Sequence, residues 1–367
     1  MDNDLKYWLA LSRTDALTPL RFRRLIEAFG SAERIFCASR AAIVRAGVPP
    51  EAAEKLITKR SAVNPDEELA RLRKANAQAI PIHDPRYPPL LREIHDPPPA
   101  LYVRGTLNIQ APMIAIVGTR APTPYGRRAA EDFAAALACA GVTVVSGLAL
   151  GIDAVVHAAA LRAGGETLAV LGSGVDIIAP TTNTQLAYEM LKEGRGAVVS
   201  EYPLGTEPRP EHFPARNRII SGLTLGTIVI EGSLKSGALI TAKSALEQNR
   251  DVFALPGSIY SPMSAGPNAL IKLGAHPVQS PQDVLEMLGM PNASAKGGFA
   301  SGEQKTASTA NPTEAKILAQ LGAEPQHVDA VARGAGLDIA DVTAMLTLME
   351  IQGRVRNLGA MTYALTS

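Results

Sequence analysis

The sequence predicts an α/β protein built around a doubly wound parallel sheet, with a small helical domain before it and a compact helix-and-hairpin domain after it. Three observations carry that prediction. Residues 114–120 (IAIVGTR), 142–153 (VTVVSGLALGID) and 167–174 (TLAVLGSG) each begin as an apolar, β-branched run and end in a glycine-containing turn. Runs without polar alternation mark strands covered on both faces. Helix-like segments at 125–140 and 154–164 alternate with them, the pattern of right-handed βαβ crossovers. The turns Gly118-Thr119-Arg120, Ser146-Gly147 and Gly172-Ser173-Gly174 then all emerge at the carboxyl edge of the sheet. Open α/β sheets bind ligands there, where glycine lets a phosphate approach backbone N–H groups at a helix start.

A chain of 367 residues exceeds one typical core, so more than one domain is expected. No run is long and apolar enough to span a membrane, and the first residues lack a signal peptide's charge pattern; a cytoplasmic location is the expectation. Cys37 and Cys139 are too few for a disulfide framework and are expected as buried small hydrophobes. Net charge is +1, but residues 1–75 hold 14 Lys/Arg against 10 Asp/Glu, residues 76–310 hold 18 against 19, and residues 311–367 hold 4 against 6. A polyanion site must therefore be a local cluster.

The chain divides into residues 1–75, 76–290, a linker at 291–310, and 311–367. The first segment reads as short helices, one with Thr18 as N-cap, Pro19 at its first position and Gly30 at its stop. Helices punctuated by Gly47 and Pro49 resemble helix-hairpin-helix or SAM-like modules, which serve as protein-contact or DNA-backbone units. Prolines at 81, 85, 88, 89 and 97–99 impose extended and turn conformations on the junction at 61–110. There His83-Asp84 and His95-Asp96 read as turn chemistry, since no third metal ligand is spaced nearby. Further strand–helix alternation runs to a helix capped by Ser280, Pro281 and Asp283, implying six to eight strands. The linker is Gly/Ala/Ser/Thr/Lys-rich, with little to bury. After it, three helices, the first capped by Thr313, and a hairpin around Asn357 and Gly359 give winged-helix order. The third helix offers Asp338, Asp341, Thr343, Met345 and Glu350, acids and apolar groups where a groove reader needs basic or amide side chains.

The sheet edge lacks G-x-G-x-x-G, an acidic residue after the second strand, and a P-loop. Asp153 and His157 are one pair, too few for a metal, and Asp153 is expected to cap its helix; neither a metal site, a cofactor nor a catalytic residue is expected. Cations do converge. Arg120 sits at the first turn; Phe213, Arg216, Asn217 and Arg218 open one helix; Lys235, Ser236, Gly237, Thr241 and Lys243 open the next. Guanidiniums, backbone N–H groups and a ring are what single-stranded nucleic acid requires. The competing reading ties Arg218 to Glu201 or Glu231 as a structural pair.

The successive runs YPPLLREIHDPPPALYVRG, IAIVGTR, VVSGLALGIDAVVHAAAL, AVLGSGVD, VVSEYP, FPARNRIISGL, VIEGSLKSGALITAKSALEQNRDVFALPG and GPNALIKLGA resemble the DNA-processing protein A (DprA, or Smf) family over residues 81–276. One departure is Ala179 before Pro180, where the family usually has Tyr. The resemblance implies an extended Rossmann-like fold that dimerises, with no known enzymatic activity. It also implies a cytoplasmic protein that binds and shields incoming single-stranded DNA and loads the RecA recombinase in natural transformation. The alternative is a nucleotide-binding enzyme like the lysine-decarboxylase-like nucleotide-ribose hydrolases. Their Pro-Gly-Gly-x-Gly-Thr loop is only faintly echoed by EGSLKSGALIT.

Overall fold

The computed structural model describes residues 2–192, 194–290, 312–321, 325–351, 354–357, 359 and 361–365. The chain divides into two compact units, residues 1–298 and 299–367. The expected linker at 291–310 lies outside the described residues.

The first unit opens with six helices, α1 (Asp2–Arg13), α2 (Pro19–Phe29), α3 (Ala32–Cys37), α4 (Arg40–Arg45), α5 (Pro50–Arg60) and α6 (Pro65–Lys74). Their ends are where local chemistry places them. The Thr18 side chain accepts the Arg21 N–H, and Gly30 closes α2 at φ 80°, a left-handed conformation costly for other residues. Trp8 stacks on Phe22 at 4.6 Å, and Leu25, Ile35, Ile43 and Leu56 complete this core.

The proline-rich junction holds two strands that the sequence reading does not count: β1 (Gln78–Pro81) and, after the short helix α7 (Pro89–Arg92), β2 (Ala100–Gly105). Pro81 ends an edge strand, where a missing N–H costs little. The remainder alternates: β3 (Met113–Val117), α8 (Pro124–Cys139), β4 (Thr143–Ser146), α9 (Ile152–Arg162), β5 (Thr167–Val170), α10 (Thr184–Lys192), β6 (Gly196–Ser200), α11 (His212–Gly222), β7 (Gly226–Val229), α12 (Gly237–Glu247), β8 (Asp251–Ala254), α13 (Ala265–Lys272), β9 (His276–Pro277) and α14 (Pro281–Met287). The nine strands are ordered β1-β2-β6-β5-β4-β3-β7-β8-β9. The seven from β6 to β9 are parallel, while β1 and β2 add antiparallel at one edge.

Both faces are apolar, and period-2 alternation decides what each meets. Ile114 and Ile116 of β3 pack under α8 and α9 with Phe133, Leu137 and Val156; Met113, Ala115 and Val117 face α11 and α12 with Ile219 and Ala242. Each of the larger of these side chains, the Val, Leu, Ile, Phe and Met, contributes about 1.5–3 kcal/mol by leaving water. Leu9 of α1 and Leu72 of α6 share a core with Tyr102, Ala169 and Val198, so the helical segment seals one sheet face. Because β7 returns to lie beside β3 with its helix on the opposite face, the winding reverses between them.

Three local expectations need correction. Cys37 and Cys139 are both exposed. Asp153 lies inside α9 behind Gly151 and bonds the preceding loop instead of capping the helix. Thr313 lies one residue inside its helix, whose cap position falls outside the described residues. The junction behaves as turn chemistry: His83 lies against Trp8 at 5.1 Å and Asp84 pairs with Arg86 at 2.7 Å. Among the described residues no cluster of His, Cys, Asp or Glu could hold a metal ion, and no helix is long and apolar enough to cross a membrane.

The second unit contains α15 (Pro312–Gln320), β10 (Gln326–His327), α16 (Val328–Ala335), α17 (Ile339–Ile351), β11 (Val355–Asn357) and β12 (Thr362–Leu365). The strands form an antiparallel sheet ordered β10-β12-β11 over a core of Ile317, Val331, Val342, Leu346, Met349 and Tyr363. This is a winged helix, with β10 as the strand the sequence reading omits.

Candidate nucleic-acid interface

The reversal of winding places a topological switch point at the carboxyl ends of β3 and β7, the usual ligand position of such sheets. The turn after β3 is held on both sides. Thr119 N–H donates to the Glu231 carbonyl at 2.8 Å, and Ile152 N–H donates to the Thr119 carbonyl at 3.1 Å. A Cβ on Gly118 would press into Ile152, so glycine is required by close packing. Fixed in this way, the chain turns Arg120 outward, exposed, with its guanidinium carbon 6.0 Å from the Phe213 ring centroid. Among the described residues no carboxylate pairs with Arg120, which leaves its fork of donors for a ligand.

Beneath this surface lies a buried layer, and it holds several residues expected as contacts. Ser146, Gly147, Gly172, Ser173, Gly174 and Arg216 are all buried. The Ser146 hydroxyl donates to the Ile116 carbonyl at 2.7 Å and that of Ser173 to the Ile177 carbonyl at 2.6 Å. Arg216 donates to the carbonyls of Gly147, at 2.8 Å, and Val170, tying the ends of β4 and β5 together. Burial pushes its pKa down to about 10, and the Asp153 carboxylate opposes that shift. Burial likewise raises the Asp153 carboxyl, with Arg216 pulling the other way. These residues support the edge; they do not face solvent.

Two internal carboxylates fill the backbone cradles beside the turns that follow β3 and β4. Asp153 accepts the N–H groups of Gly147 at 3.1 Å and Ala149 at 3.3 Å. Glu231, buried at the end of β7, accepts the Thr123 N–H at 2.9 Å and its hydroxyl at 2.6 Å, at the very start of α8. Gly126 is there because a Cβ would strike that carboxylate.

The start of α12 is different. Its first turn carries no acid, Ser236 caps it through the Ala238 N–H, and Gly237 is exposed. Lys235 beside it is exposed and makes no ion pair among the described residues. Asn217 reaches the Gly237 carbonyl at 3.4 Å, joining α11 to this opening. Arg218 is engaged elsewhere: it binds Asp96 at 2.9 Å and also Glu201, the structural pairing that competed with a contact role. Lys243 is six residues along α12, about 9 Å from its start, and pairs with Glu247 at 3.7 Å. The accessible set is therefore Gly118, Thr119, Arg120, Phe213, Asn217, Lys235, Ser236 and Gly237.

Sequence reading passed over the residues that aim this set. His212 donates from Nδ1 to the Gly172 carbonyl at 3.0 Å and stacks on Tyr202 at 4.1 Å, fixing the start of α11 next to Phe213. Asn183 donates to the carbonyls of Leu148 and Ala149, at 2.9 and 3.1 Å, and pins the loop before α9. The hydrogen bonds of both residues span more than 30 residues and leave no local pattern.

Comparison with known proteins agrees with this architecture. Residues 78–289 match the family model described as DNA recombination-mediator protein A, and residues 301–361 match that of the DprA winged helix domain. Protein Smf of Synechocystis sp. is 38% identical, with 99% of each chain covered. The X-ray structure of DNA processing protein A from Streptococcus pneumoniae superimposes with a TM-score of 0.65 at 36% identity, covering 77% of this chain and 97% of that one. DNA processing protein A from Helicobacter pylori, whose structure was studied for its single-stranded DNA binding mode, has a TM-score of 0.52 at 31% identity, covering 58% and 95%. The chain belongs to the DNA recombination-mediator protein A family.

Proposed function

We propose that the protein binds single-stranded DNA along the switch-point edge with little sequence preference. In this reading it shields incoming strands and loads a RecA recombinase onto them in natural transformation. The observation that carries the reading is Arg120: an exposed guanidinium without a carboxylate partner, lying against Phe213 and sharing its edge with Lys235 and the open start of α12. Cations for phosphates beside a ring for bases are the elements of a single-strand track. The single-strand binding of the Helicobacter pylori relative supports it. The nucleotide-ribose hydrolase alternative loses ground because Asp153 and Glu231 already occupy the N–H cradles a mononucleotide phosphate would use. A homodimer is supported by Ile240 and Leu246 on α12 and Leu273 at the end of α13, which stand 44%, 58% and 81% exposed.

Titration with labelled oligothymidine, duplex of equal length and mononucleotides, across a salt series, tests the binding. Single strands should bind better than duplex, with log affinity falling linearly in log salt at about −0.7 per phosphate engaged. Salt-independent binding, or preference for a defined duplex, overturns the reading; tight mononucleotide binding with turnover establishes the alternative. Faster RecA filament nucleation on protein-coated strands checks the loading role, and sedimentation checks the dimer.

A further inference from the structure

We propose that Tyr260, on the loop between β8 and α13, is a second base-stacking platform that extends the strand's path beyond the Arg120–Phe213 contact. This rests on the single-strand reading above. Tyr260 is 90% exposed and its neighbour Ile259 83%, the two most exposed large apolar side chains among the described residues. Apolar side chains displayed to water on a rigid loop at a ligand edge are the informative exception to burial.

The loop is rigid by construction. Tyr125, in the first turn of α8, donates its hydroxyl to the Pro256 carbonyl at 2.8 Å. Asn268 of α13 exchanges hydrogen bonds with both backbone groups of Gly257, at 3.3 and 3.0 Å. Gly232 N–H donates to the Met263 carbonyl at 2.7 Å, and Gly266 N–H donates to the Gly232 carbonyl at 2.8 Å. The loop is thus stapled to the segments that follow β3 and β7. Within it, Tyr260 N–H donates to Ser258 Oγ at 3.3 Å, and Ser261 N–H to the Ser258 carbonyl at 3.0 Å. Nothing in this scaffold uses the Tyr260 ring: no other ring, cation or hydrogen bond engages that side chain among the described residues.

Placement supplies the occupant. Strands β3, β7 and β8 are adjacent and parallel, so their carboxyl ends lie in a row. The ends of β3 and β8 are two strand spacings apart, about 10 Å, or roughly three nucleotides at the rise of a stacked strand. Lys235 stands on the loop after β7, between them in that row. The edge therefore presents Phe213 with Arg120, then Lys235, then Tyr260: ring, cations, ring. A strand whose phosphates follow the cations would bring a base onto the second ring.

The test compares wild type, Tyr260→Ala and Tyr260→Trp with oligothymidine and with a strand of equal length built of abasic sugars. Tyr260→Ala should weaken oligothymidine binding about tenfold, leave abasic-strand binding unchanged, and keep the salt slope, since no phosphate contact is lost. Emission of the Tyr260→Trp variant should be quenched by oligothymidine; the chain's single native tryptophan, Trp8, is 1% exposed and supplies a silent background. Unchanged oligothymidine affinity in Tyr260→Ala, with wild type binding normally, overturns the stacking role alone. Equal loss for both strands overturns it too, as does an altered association state with DNA binding intact, which would assign the loop to contact between copies. A wild type that ignores single strands overturns the parent reading, and shows it before any variant is made.

Discussion

Arg120 and Arg216 carry the same charge near the same edge, and in the sequence they look equivalent. What separates them is the atoms they face. Arg216 is buried against the carbonyls of Gly147 and Val170, partners set by strands more than 40 residues away, so no local pattern could expose its role. Arg120 follows a turn whose apolar strand and glycine were plain in the sequence, and it emerges where that turn implied. Arg120→Ala should therefore cost about 1.5–3 kcal/mol of single-strand affinity, the worth of a charge-assisted contact, with the melting temperature unchanged. Arg120→Lys restores charge without the fork and should fall between. Arg216→Ala should instead lower the melting temperature by several degrees, because it takes the donors away from the Gly147 and Val170 carbonyls and removes the charge that offsets the buried Asp153 carboxylate. Melting and oligothymidine titration on the same preparations separate the two; undiminished affinity in Arg120→Ala would remove that residue from the interface.

Among the elements, those with a strong local signature were legible. Thr18, Pro19 and Gly30 bound α2 as expected, and Ser280 with Asp283 forms a capping box on α14. The strands missed are short or unusual: β10 has two residues, too few for any period, and β1 and β2 flank a proline cluster that argues for turns. Their existence is decided by pairing, β1 to β2 and β2 to β6, which a local reading does not contain. Helix α17 was legible in composition and remains so in structure. It has no Lys or Arg, and Asp338 before it, with Asp341, Leu348 and Glu350, is exposed. A helix of that chemistry repels a phosphate backbone. Removing residues 311–367 should change single-strand affinity by less than tenfold, about 1.4 kcal/mol. A larger loss on comparing the truncated and full chains would place the winged helix in the DNA path.

At the scale of the whole molecule, acid should loosen the fold through His157. Its Nδ1 lies 2.6 Å from the Thr167 hydroxyl, which itself donates to the Val144 carbonyl, so the imidazole donates from Nδ1 and leaves Nε2 without a partner. Burial, with the Arg216 charge adding to it, pushes the His157 pKa down to about 3. The unfolded chain, near 6.5, binds that proton first. The neutral ring's contribution is complete above about pH 6.5 and is lost as pH falls toward 3, at about 1.4 kcal/mol per unit. Urea unfolding should show about 2 kcal/mol less stability at pH 5 than at pH 7 from this group. His157→Gln should flatten the dependence; an unchanged slope would show that other groups set it. The doubly wound sheet around that helix was legible because both of its faces are apolar; the layer of buried polar ties was not. Glu231 belongs to that layer, and its position at the start of α8 bears on exchange. Under the proposed single-strand reading, a phosphate arriving at α8 would meet a helix end already neutralised by the protein's own carboxylate, and the strand would be gripped at separate points instead of in one deep socket. Each such grip would open alone while its neighbours held, and in that reading a competing protein would take over the strand nucleotide by nucleotide, without waiting for it to leave.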